Sequence, residues 1–144
     1  MNALQKLVLI IFFGGLSTVA HGEGRSPQSL LEHIREVRES PAGSQRNQLA
    51  EELPIIVRRL PRQEIRQVEI DALMGLLDDH EAYVRLWAAS ALGCTGGKGA
   101  AAIPRLERLK AEFLASEAAG FSSDPLPGAV DKAIERIVSD RGCS

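Results

Sequence analysis

From about residue 26 to residue 140, apolar residues return at intervals of three and four. That is the period of a helix with one buried face, and no segment reads as a strand. The pattern predicts six helices joined by short turns. Ser26-Pro27 opens the first, with proline where its missing N–H costs nothing, and Leu30, Leu31, Ile34 and Val37 line one face. Ser40-Pro41-Ala42-Gly43 breaks it. A second helix is expected from Gln45 to Leu60, with Leu49, Leu53, Ile56, Val57 and Leu60 inward. Pro54 should kink it or mark its true start, and Pro61 ends it. A third follows over Arg62 to Asp78, with Ile65, Val68, Leu73, Leu76 and Leu77 inward. Two more are expected over Glu81 to Leu92 and Ala100 to Ser116. The turn-rich segment GFSSDPLPG, residues 120 to 128, precedes a last helix to Asp140, which Gly142 can cap in the left-handed conformation.

The start of the chain has a different character. Lys6 precedes the uncharged run LVLIIFFGGL, and small residues follow in STVAHG. That is the pattern of a secretory signal peptide, assigned to residues 1–22. Leu7 to Ala20 is too short to span a bilayer as a helix, which needs roughly 20 apolar residues. Cleavage fits after Ala20 or after Gly22. The remaining domain, 23–144, has no membrane span and is expected to be exported, to a periplasmic or extracellular compartment. With Lys6 lost from the 17 basic residues, 16 stand against 19 acidic ones and the net charge is −3. An acidic balance argues against a nucleic-acid partner, which requires a concentrated basic face. Aromatic residues make up only 4% of the chain, so the helices should approach through small side chains.

Two internal echoes run through the helical part. LAEELPIIVRRL, residues 49 to 60, matches AAAIPRLERLK, residues 100 to 110, around Pro54 and Pro104. DDHEAYVRLWAASAL, residues 78 to 92, is echoed by DPLPGAVDKAIERI, with Val84 and Val130 each following an acidic turn. Periods of roughly 40 to 47 residues belong to helix-pair repeats.

Asp79, Val84-Arg85, Ala88-Ala89, Ala91-Leu92-Gly93, Ala102-Ile103-Pro104 and Leu106 make residues 78 to 110 resemble a HEAT repeat, of the short variety found in phycobilisome-lyase-like proteins. The resemblance implies an all-α fold, a short α-α solenoid of HEAT-like helical hairpins, whose structural signature is Asp79, Val84, Arg85, Ala88, Leu92, Gly93, Pro104 and Leu106. The residues have a physical reading of their own. Asp78 or Asp79 accepts free N–H groups at a helix start. Arg85 points back toward acids at that turn or at the same turn of a neighbouring layer. Ala88, Ala89 and Ala91 let a partner helix approach. Each hairpin hides only one side, so neighbours must stack to bury a common core.

GCTGGKG, residues 93 to 99, falls one residue short of a phosphate-binding loop, has no Ser or Thr after Lys98, and follows a helix instead of a strand. It reads as a bend whose glycines permit positive φ. Cys94 lacks the neighbouring base that a catalytic thiol needs. In an oxidising compartment Cys94 and Cys143 can form a disulfide, closing a loop of about 50 residues that the chain-entropy model values at about 4 kcal/mol; the alternative is two separate thiols. His80 among Asp78, Asp79 and Glu81 reads as a solvated helix cap, and His33 as a surface residue. No catalytic residue, cofactor or metal site is assigned. Arg58, Arg59, Arg62 and Arg66 form the one basic cluster, and with Tyr83 they are the candidate partner-binding residues. The expected function is a noncatalytic interaction module or assembly scaffold with a protein partner. Two alternatives stand beside it: a bilin lyase-like enzyme, implied by the family resemblance, and an envelope regulatory binding protein.

Overall fold

A computed structural model describes residues 29–116 and 124–143. The assigned signal peptide, the Ser26-Pro27 helix start and residues 120–123 of the 120–128 turn lie outside them. Among the described residues there are six α-helices and no strand: α1 (Leu30–Glu39), α2 (Ser44–Arg59), α3 (Gln67–Gly75), α4 (Ala82–Cys94), α5 (Ile103–Ser116) and α6 (Leu126–Val138). Short 3-10 segments join several of them.

Helix α1 begins with a capping box. The Ser29 hydroxyl accepts the Glu32 N–H at 3.2 Å, and the Glu32 carboxylate accepts the Ser29 N–H at 3.0 Å, so two orphan donors are satisfied together. Helix α2 continues past Pro54 to Arg59, so Pro54 does not mark its start. The 62–78 region is not one helix. It is α3 flanked by 3-10 turns at Arg62–Glu64 and Leu76–Asp78. Ile65 is extended, with φ −78° and ψ 103°, and only 2% exposed. Burying Ile65 breaks the local helix, and Lys98 compensates: its ammonium donates to the Arg62 and Ile65 carbonyls at 2.5 and 2.9 Å. The resulting rotation leaves Val68 47% exposed and buries Ile70 in its place.

Helix α4 is the centre of the core, packed most closely against α2 and α6. Val84, Ala88, Ala89, Ala91 and Leu92 are fully buried. An added Cβ on Gly93 would come within 2.8 Å of the Ala133 backbone on α6, so glycine is what permits this approach. Ion pairs join the first turn of α2 to the entry of α4. Beyond the opposite ends, Arg62 after α2 meets Asp140 after α6. The three helices therefore run side by side in one direction. Helix α1 packs on α2, α3 on α4, and α5 on α6.

This pairing corrects two expectations. Residues 78 to 110 do not close as a hairpin, because α5 packs on α6 and on the Gly96–Ala102 3-10 segment and not closely on α4. The Pro54/Pro104 echo is not structural either: Pro54 sits deep inside α2, whereas Pro104 is in the first turn of α5. The other echo places Val84 and Val130 on α4 and α6, both fully buried.

Candidate functional site: a basic groove beside the disulfide

The ends of α2, α4 and α6 differ in chemistry. At the N-terminal end Arg46 is only 4% exposed. Its Nε donates to the Val37 carbonyl at 2.8 Å and its Nη2 to Asp79 Oδ2 at 2.5 Å. Glu81 lies 3.6 Å from Nη1. Burying a guanidinium is costly unless its protons are matched, and here they meet a carbonyl and two carboxylates. Asp79 also accepts the Glu81 N–H at 2.9 Å. Arg85 turns back onto the same loop but donates to the Asp79 and His80 carbonyls, at 2.6 and 3.1 Å. The acid that Arg85 was expected to meet is taken by Arg46 of the neighbouring helix. His33 is not a surface residue: it is 2% exposed, and its Nε2 lies 2.7 Å from the Leu49 carbonyl, which accepts from it. His80 remains exposed beside Asp79.

At the C-terminal end the chain folds back over α4. The structure joins Cys94, the last residue of α4, to Cys143, with a Cα–Cα distance of 4.4 Å. The intervening tail is anchored by Asp140, which accepts the Gly97 N–H at 2.6 Å and pairs with Arg62 at 3.0 Å. Arg62 also donates to the Asp140 carbonyl. The Gly97 N–H bond and the Arg62 guanidinium hold the Asp140 carboxyl below the usual carboxylate range. In the glycine-rich bend, then, an N–H that could have cradled a phosphate faces a carboxylate of the same chain. Gly93 and Gly97 do not need positive φ; Gly96 does, at +61°. The left-handed residue directly past α6 is Asp140, at φ +53°, not Gly142. Gly142, at +61°, serves the disulfide passage, since a Cβ there would meet the Cys94 carbonyl at 2.9 Å.

Between the tail and the C-terminal halves of α2, α4 and α6 lies an open groove of about 420 Å³. Arg58, Lys132, Arg136 and Arg141 line it, with Glu135 as the one acid, and Pro54, Ile55 and the disulfide add an apolar strip. Arg136 Nη1 donates to Cys143 Sγ at 3.2 Å. Among the described residues none of the four cations has an ion-pair partner within 4 Å.

The cluster read from the sequence is thus dispersed. Arg58 faces the groove. Arg59 is exposed on the adjoining side of α2. Arg62 clamps the tail, and Arg66 pairs with Glu69 at 2.5 Å, as part of the capping of α3. Burial works to raise the Glu69 carboxyl, but the bonds from the Arg66 side chain and from backbone N–H groups outweigh it and hold Glu69 below the usual range. Tyr83 is 43% exposed and meets Trp87 edge-on at 5.9 Å. Spaced four, three and four apart, Tyr83, Trp87, Ser90 and Cys94 form one stripe of α4 leading into the groove. Trp87 is half-buried, and among the described residues its Nε1 has no hydrogen-bond partner. Of the repeat signature, Val84, Ala88, Leu92, Gly93 and Leu106 are core, while Pro104 is exposed in the first turn of α5.

Sequence reasoning missed Lys132, Arg136 and Arg141. Lys132 and Arg136 stand four apart on α6, a same-face spacing readable in advance. That Arg58 lies opposite them is a matter of helix order. No described helix is long and apolar enough to cross a membrane, and among the described residues no group of three or more His, Cys, Asp or Glu is arranged to hold a metal ion. No protein family, curated protein or solved structure matches the chain.

Proposed function

We propose that this protein is a noncatalytic interaction scaffold of short, HEAT-like solenoid form, acting outside the cytoplasm by binding another protein. The observation that carries the reading is the shared face of α2, α4 and α6. Three parallel helices, each backed by a partner helix, leave one broad face open. That face holds the groove, four cations with no ion-pair partner among the described residues, and the exposed Tyr83. Stacked hairpins use such faces for recognition. A disulfide between Cys94 and Cys143 accords with export, because reducing compartments keep thiols apart.

The test is photocrosslinking in living cells from a photoreactive residue placed at Tyr83 or at Ser90. A discrete protein adduct is expected from both positions, and none from the buried-face control at Leu109. Failure of both positions to yield an adduct above that control would remove the scaffold reading.

A further inference from the structure

We infer that the groove between α2, α6 and the disulfide-tied tail takes an acidic polypeptide segment, with apolar side chains interleaved among its carboxylates. The inference rests on the scaffold reading above and adds the chemistry of the partner.

Arg46, Arg62, Arg66, Arg105 and Lys110 each have a carboxylate within 4 Å. Arg38, Arg85 and Lys98 donate to backbone carbonyls instead. Of the cations with no ion pair among the described residues, Arg58, Lys132, Arg136 and Arg141 line one groove together, with Glu135 as the single acid of its lining. Like charges gathered at close quarters raise one another's energy, and an incoming carboxylate relieves that repulsion. The groove is also not purely polar. Ile55, 38% exposed, Pro54 and the disulfide form an apolar strip beside the cations. A ligand that carries both carboxylates and small apolar groups satisfies both halves.

Two features favour a polypeptide over other polyanions. The chain carries net charge −3 beyond the assigned signal peptide, which repels a long polyanion such as nucleic acid or an anionic membrane outside the groove. The groove is open to solvent, unlike the enclosed cavities that bury most of a small molecule. The tail contributes Arg141 and Gly142 to one wall, so the disulfide holds part of the binding surface in place.

The measurement is fluorescence anisotropy of a labelled peptide alternating glutamate and leucine, titrated with the whole chain as recovered from cells. Saturable binding is expected, and the Kd should rise at least about tenfold with Arg58→Glu plus Lys132→Glu. The milder pair Arg58→Gln with Lys132→Gln should weaken binding less, and circular dichroism of both must match the unmodified chain. Binding should fall with added salt, as exposed charge pairs are screened. A peptide alternating glutamine and leucine should bind at least about tenfold more weakly. Equal affinity for the two peptides, or a Kd unmoved by both substitution pairs, overturns the proposal. So does tighter, equally substitution-sensitive binding to phosphatidylglycerol vesicles or to an oligothymidylate. Absence of peptide binding, with crosslinking from Tyr83 still giving an adduct that is indifferent to the charge reversal, ends this inference and leaves the scaffold reading standing. Absence of both ends both.

Discussion

The two ends of the α2/α4/α6 layer use the same residue type in opposite ways. At one end Arg46 is buried, held by the Val37 carbonyl and paired with Asp79. At the other, Arg58, Arg136 and Arg141 stand around a groove with no acid within pairing distance among the described residues. Composition does not distinguish them. What differs is whether neighbouring elements bring acceptors to the guanidinium. An arginine surrounded by acceptors belongs to the fold, and one left without them at a surface is free to serve a ligand.

The largest expected effect comes from breaking the buried end. Arg46→Ala leaves Asp79 without its cation and should cost about 3–5 kcal/mol, seen as a lowered midpoint in chemical denaturation. A loss under about 1 kcal/mol would mean that the two ends do not differ in kind. At the other end, Cys94→Ser with Cys143→Ser should cost about 4 kcal/mol by the chain-entropy account, and the same shift should follow reduction of the unmodified chain. Gly93→Ala drives a methyl toward the Ala133 backbone and should cost about 1–3 kcal/mol as overpacking; an unchanged midpoint would show that α4 and α6 separate freely.

The remaining two effects are smaller. Asp140 and Glu69 both have carboxyls held below their ordinary values. A depressed folded value contributes stability above the unfolded carboxylate range, and that contribution is lost as pH falls through the folded value. Denaturation midpoints should therefore decline from about pH 5 downward, and Asp140→Asn should flatten part of that decline. Arg58→Ala should leave stability within about 0.5 kcal/mol. A larger loss would move Arg58 into the same category as Arg46.

Part of this arrangement could be read in advance. Helix class, helix number and most of the α4 core followed from apolar period and from the run of alanines, because those depend on spacing within one helix. Val68 and His33 depart from what local spacing and polarity imply. Val68 matched the helical period, yet the 3-10 turn imposed by burying Ile65 rotated α3 away from that register. His33 carries a polar ring, but the Leu49 carbonyl one helix away gives it a partner inside. Neither neighbour is visible from local spacing. Arg46 gave no signal at all, since it sits in the polar run SQRNQ and acquires its role from Val37, Asp79 and Glu81.

What the residues determined by themselves was local: where helices start, which stripe of each is apolar, and where a small residue permits close approach. Those follow from the 3.6-residue period, capping chemistry and side-chain volume, all set within a few positions of chain. Tertiary structure alone decided which helices became neighbours, and so turned α5 onto α6 and set Arg58 across from Lys132 and Arg136. The reason is that ion pairing and desolvation depend on distances between groups far apart in the chain, and only the packed core sets those distances.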